Sequence, residues 1–178
     1  MSFLYNYLLF DAAKAEENLT AAQELNSINK SLYLVKEYDP LLEVSPYLFT
    51  LKKNAPFAEW YLKKGWNQSW GVLIFSTSPF EHVYNHFRRF LMVKTEDDQQ
   101  LYFRFYDPRV LRIFLPTCDE KQLREFFGPI EQFICEDEDP EFALVFSFEK
   151  STLKTQRITK ESLFETSEQK NQGRKFFV

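Results

Sequence analysis

Apolar and polar positions fall into short blocks, and the blocks alternate between strand-like runs and helix-like stretches. Residues 3–10 are a near-continuous apolar run, the pattern of a buried strand. Residues 11–28 are rich in Ala, Glu, Gln and Leu, hold neither Pro nor Gly, and predict a helix. Short strands are predicted over 32–35 and 46–51, the second with Pro46 first, where no ladder donor is missed. A helix over 55–64 is expected to stop at Gly65 in a left-handed conformation, and 71–76 is another buried strand.

The next helix opens with Ser78 as cap, Pro79 at the first helical position and Glu81 closing a capping box, and runs to about Arg89. Residues 90–94 and 100–106 read as a hairpin joined by a polar turn at 95–99. Asp107-Pro108 repeats the cap-plus-proline start for a helix to about Leu115, ended by Pro116. Thr117-Cys118-Asp119-Glu120 is read as a capping box for a helix that stops at Gly128-Pro129. Strands over 130–135 and 141–148 follow, joined by the acidic stretch 136–140.

Strands and helices alternate early and hairpins come late. The fold class predicted is α/β in the mixed α+β sense, with a single mixed β-sheet covered by helices. Residues 1–149 form the domain. Residues 150–178 are a polar appendage, with one helix around 160–169 and an end, Lys175-Phe176-Phe177-Val178, expected to be mobile.

Composition sharpens this picture in one respect: 18% of the 178 residues are aromatic, among them 20 Phe, which suits large side chains packed between sheet and helices. A net charge of −4 and a pI near 5.4 argue against a generally basic nucleic-acid binder. Two cysteines, Cys118 and Cys135, make no disulfide scaffold and no CxxC pair. The first residues lack a basic region and a small-residue cleavage site, and no apolar run approaches the roughly 20 residues of a spanning helix. The expectation is a cytoplasmic protein with no membrane and no nucleic-acid partner.

The most loaded segment is Arg104-Phe105-Tyr106-Asp107-Pro108-Arg109-Val110-Leu111. Asp107 sits where strand becomes helix and can accept backbone N–H bonds there. Asp11 also ends an apolar strand. If the two strands are neighbours, Asp11, Arg104, Asp107 and Arg109 gather at one sheet edge, either as a polar site or as caps and ion pairs that fix a turn. Two carboxylates can do acid–base work only with a nucleophile, metal or activated water nearby, and the sequence names none. His82 and His86, four apart, can share a helix face and hold zinc, yet a third ligand is not evident. Arg88 and Arg89 complement the helix's negative end or form a small basic patch for a partner. Trp66 and Trp70, in the turn 65–71, are a lid on the core or interface anchors. With four Gly, no phosphate-cradling loop is present in the sequence.

An ordered series of residues resembles the adaptor, or effector chaperone, family of bacterial type VI secretion systems (the Tap or TEC proteins). The series runs from the early strand ending in Asp11 through Ser45-Pro46-Tyr47-Leu48, Gly65-Trp66 and Ser69-Trp70-Gly71. It continues in His86-Phe87-Arg88-Arg89-Phe90, in the segment from Arg104 to Leu111, and in Phe127-Gly128-Pro129-Ile130. The resemblance covers roughly residues 3–149. It implies a protein that binds a secreted toxic effector through an N-terminal or spike-facing segment and helps load it onto the VgrG trimer or its PAAR tip. It implies neither an enzyme nor a cofactor or metal. In this reading Asp11, Arg104, Asp107 and Arg109 are the polar centre, and Trp66, Trp70, Arg88 and Arg89 are candidate contacts. Many relatives carry a longer C-terminal region after the shared domain, where the mostly polar residues 150–178 follow here. Two other readings stand beside it: a small metal- or carboxylate-dependent hydrolase using Asp11, Asp107 and His86, and an immunity-type protein binding the toxin domain.

Overall fold

The computed structural model describes residues 6–33, 40–52, 55–94, 97 and 100–163. Strand β1, Tyr7–Asp11, is buried along its whole length. Its alternate side chains feed two separate cores. Leu8 and Phe10 enter one, and Tyr7 and Leu9 the other. That double burial is why the sequence there is apolar without alternation.

Seven strands form one sheet in the order β2-β3-β1-β4-β7-β8-β9: β2 is Asn29–Ser31, β3 Pro46–Thr50, β4 Gly71–Phe75, β7 Gln132–Glu136, β8 Phe142–Glu149 and β9 Thr152–Thr159. Every neighbouring pair in it is antiparallel. A separate two-stranded hairpin is made by β5, Met92–Lys94, and β6, Gln100–Tyr102. Helices α1 (Ala12–Ala15), α2 (Asn18–Leu25) and α3 (Pro56–Trp60) supply the first core; α4 (Phe80–Arg88), α5 (Pro108–Phe114) and α6 (Glu120–Phe127) supply the second. The α+β architecture with a helix-covered sheet is therefore as expected.

Phenylalanines account for much of the second core. Phe126 packs its ring against Phe90, Phe114 and Phe133 at 5.2, 5.3 and 5.2 Å, and against Phe105 at 5.8 Å. Each such pair adds about 0.5–1.5 kcal/mol beyond the area it buries.

Several boundaries differ from expectation. The helix predicted over 11–28 is two helices, because Glu16 adopts a positive φ of 53° between them. The strand predicted at 32–35 forms at Asn29–Ser31 instead; residues 34 and 35, like residues 3–5, lie outside the described residues. Gly65 is not left-handed: it ends a π-helical turn, Tyr61–Gly65, where an added Cβ would meet the Trp70 ring at 2.7 Å and the Tyr61 ring at 2.9 Å. Ser78 and Glu81 form no capping box. Pro79 is the cap residue, and Glu81 pairs with Lys30 at 3.2 Å. The box before α6 is two residues later than read, with Asp119 and Gln122 bonded reciprocally. The strand predicted to Tyr106 ends at Tyr102, so Arg104 lies in the loop before α5.

The stretch read as a polar appendage supplies β9, which pairs with β8 along eight residues and is followed by a 3₁₀ turn, Lys160–Leu163. Of the helix expected over 160–169, residues 164–169 lie outside the described residues.

Candidate functional site

Asp11 and Asp107 are both helix caps, and both are chosen by the local chain. Each has extended backbone angles and a carboxylate aimed at the following turn: Asp11 Oδ1 accepts from the Lys14 N–H at 3.2 Å, and Asp107 Oδ1 from the Arg109 N–H at 3.0 Å. Pro108 follows Asp107 at the first position of α5, where a missing N–H does no harm.

Two guanidiniums complete the cluster. Arg104 Nη2 donates to Asp11 Oδ2 at 2.8 Å and lies 3.5 Å from Asp107 Oδ2. Arg109 grips Asp107 with two bonds, Nε to Oδ1 at 3.0 Å and Nη2 to Oδ2 at 2.7 Å. The carboxylates are buried while the arginine side chains are about half exposed. Burial alone would favour a neutral Asp107. The Arg109 bonds and the two nearby guanidinium charges outweigh it and hold the carboxyl below its ordinary range.

The four residues meet, although the condition set for it, neighbouring strands, is not met. β1 and β6 belong to different sheets, and the loop after β6 brings Arg104 and Asp107 to the end of central strand β1. Each carboxylate already accepts from a helix N–H and a guanidinium. The bonds pin the β1-to-α1 corner to the loop before α5: Asp11 and Arg104 stand 93 residues apart along the chain.

Trp66 and Trp70 fall on the core side of their two readings. Both are buried in the first core, with Trp70 6.1 Å from Phe10 and 5.8 Å from Trp60. The turn that carries them holds Asn67 and Ser69 at positive φ, and its anchor is a residue the sequence reading placed in a solvated acidic loop. Glu136 is buried, and its two carboxylate oxygens accept from the Ser69 N–H at 3.1 and 3.2 Å. Asn67 Nδ2 adds a bond to the Pro140 carbonyl at 3.1 Å. Two further acids of that loop are also committed: Asp137 and Asp139 bond Arg157 of β9 at 2.6 and 3.2 Å. Only packing of the end of β7 against the tryptophan turn distinguishes Glu136 from its acidic neighbours.

Burial pushes the Glu136 carboxyl up to about 7, against the N–H bonds from Ser69 and Asn67 and the Arg112 charge, which favour ionisation. The folded chain thus holds this proton more tightly than the unfolded one. The contribution to stability is fully present below about 4.5 and is lost as pH rises through about 7, a swing of about 3 kcal/mol at most. Replacing Glu136 by Gln keeps an acceptor for Ser69 and removes the titration. We expect urea midpoints of E136Q minus wild type to grow between pH 5 and 7.5; a constant difference would contradict this.

His82 and His86 do not act as a pair. His82 is exposed, whereas His86 is buried and occupied at both ring nitrogens: Nε2 donates to the Phe126 carbonyl at 2.8 Å, and Nδ1 accepts from Arg89 Nη2 at 2.9 Å. Burial lowers its pKa, opposed by the Phe126 bond and reinforced by Arg89 and His82. His86 also touches Gly128, whose φ is +46° and whose missing Cβ would overlap the imidazole. Two segments of the quoted series, His86–Phe90 and Phe127–Ile130, therefore meet at one contact. Arg89 is exposed and Arg88 half-buried, its guanidinium 5.6 Å above the Tyr84 ring. Cys135 is buried, and Cys118 donates weakly to the Phe114 carbonyl.

Exposed large apolar side chains lie on the β5–β6 hairpin (Met92, Val93, Leu101 and Tyr102), at Ile113 of α5, and at Leu25, Ile28 and Val44 in the first half of the chain. Among the described residues no helix is long and apolar enough to cross a membrane.

Comparison with curated proteins and with solved structures found no match. A family model does match, over residues 6–125, two thirds of the chain, and carries the description "Domain of unknown function (DUF4123)". That span contains β1, the tryptophan turn, α4, the hairpin and the Asp107–Arg109 cap, and the chain belongs to the DUF4123 family.

Proposed function

We propose that this protein is a cytoplasmic adaptor that binds a type VI secretion effector and helps load it onto the VgrG/PAAR spike. The observation that carries the reading is the division of labour on the surface. The charged corner is consumed by internal caps and ion pairs, while the hairpin and α5 present large apolar side chains to solvent. Exposed apolar side chains on a two-stranded ribbon suit a protein partner. The resemblance of the ordered series to effector adaptors names what that partner is. A hydrolase using Asp11, Asp107 and His86 would need those groups converging on an open pocket. Here both carboxylates cap helices and His86 is held between Phe126 and Arg89.

The test is co-expression with a candidate type VI toxin, followed by affinity purification and truncation of the toxin. Retention of an N-terminal, spike-facing segment is the expected result. Retention of the isolated toxin domain alone would favour an immunity-type role, and no complex at all would end the adaptor reading.

A further inference from the structure

The hairpin is apolar on both faces. Val93 stands opposite Leu101, and Met92 opposite Tyr102, each between 37% and 62% exposed. A two-stranded ribbon is marginal on its own. This one is rooted where the Phe103 N–H donates to the Leu91 carbonyl at 2.9 Å and the Phe103 ring packs on Phe114 at 4.6 Å.

Between the ribbon and α5 and α6 lies a groove of about 260 Å³ lined by Val93, Phe103, Phe114 and Phe126, with Gln122 and Glu125 among its polar residues. It is smaller than the usual small-molecule pocket of roughly 300–1,000 Å³, and is suited to one or two large side chains. Its lining is mostly apolar side chains, and the nearby Phe103 N–H is already used. An extended peptide laid there would leave its own N–H and C=O groups against phenyl rings, whereas a helix satisfies them internally. The carboxylate at the groove adds a second requirement. Glu120, on the same helix, is paired with Arg124 at 2.6 Å, but Glu125 is exposed and has no ion-pair partner among the described residues.

We infer that this groove receives an amphipathic helix of the partner polypeptide, seating a large apolar side chain among Val93, Phe103 and Phe114 and placing a Lys or Arg against Glu125. The inference rests on the adaptor reading and adds to it the face and the partner chemistry.

Two exposed positions test it, Val93→Asp and Glu125→Lys, with melting curves to confirm the fold. The probe is the full-length toxin used in that co-expression test, titrated calorimetrically, with a benzophenone amino acid at position 101 for photo-cross-linking. We expect V93D to weaken binding at least about 30-fold and E125K about 10-fold. The cross-linked segment is expected to be apolar at i, i+3 or i+4 and i+7, with a basic residue alongside. Should V93D not fold, E125K on the helix surface carries the test.

Wild-type affinity retained by both variants would overturn the groove and leave the adaptor reading standing. A cross-linked segment that is acidic or lacks helical periodicity would do the same, as would a cross-link to a second copy of this chain. A wild-type chain that binds no toxin takes down the adaptor reading and this inference with it.

Discussion

Replacing Gly71 by alanine is expected to destabilise the fold severely. Gly71 faces Phe10 where β4 pairs with β1, in the middle of the seven-stranded sheet. A Cβ there would overlap the Leu9 carbonyl and lie 3.0 Å from its carbon and 3.2 Å from the Phe10 Cα. The obstacles are backbone, and rotamer changes cannot relieve them. Neither strand can retreat, because Leu8, Leu9, Phe10, Val72 and Leu73 are all fully buried between the two cores. Tyr61 adds a constraint, since its hydroxyl donates to the Gly71 carbonyl at 3.1 Å. We expect a loss of about 4 kcal/mol or more, a large share of a typical 5–15 kcal/mol stability. Soluble yield and urea denaturation read it out; a wild-type midpoint for G71A would show that the β1–β4 pairing is looser than described.

Gly128→Ala is expected to be nearly as damaging, by a different route. The residue's φ of +46° costs any side chain roughly 1–2 kcal/mol. The new methyl must also push the His86 ring out of a site where it is buried and bonded to the Phe126 carbonyl. Losing that buried bond adds about 1–3 kcal/mol. The two parts separate in a double-mutant cycle. H86A/G128A should be less destabilised than the sum of the single variants, because the ring is no longer there to strike, while the cost of the positive φ remains. Strict additivity would mean that the two residues are not in contact in the folded protein.

These contacts explain what could be read from the sequence and what could not. The Asp107-Pro108 cap and the strand ending in Asp11 were legible because their determinants are local: an acceptor side chain, a proline and an apolar run. The break in the helix after β1 was not, because Glu16 takes a positive φ without the Gly or Asn that usually announces one. β9 escaped because most of its residues are exposed and its two apolar residues, Leu153 and Ile158, stand an odd five apart and face opposite cores; polar edge strands lack the pattern by which strands are recognised. The tryptophan turn leaves core lid and partner anchor equally open in the sequence, since nothing local says that Trp66 and Trp70 point inward. Glu136 was hidden among acids that are solvated or paired, and only the tertiary fold buries it.

Gathering Asp11, Arg104, Asp107 and Arg109 was expected only of neighbouring strands; the meaning of the gathering is what the geometry supplies. Calorimetric affinity of Asp107→Asn for the same toxin, measured beside its melting curve, addresses this most directly. The amide still caps α5 but gives up its charge to Arg104 and Arg109. We predict a melting temperature lower by about 4–8 °C, corresponding to roughly 2 kcal/mol, and an affinity within twofold of wild type while the variant is folded. A variant that melts like wild type yet no longer binds would place Asp107 in the grip itself and contradict the account.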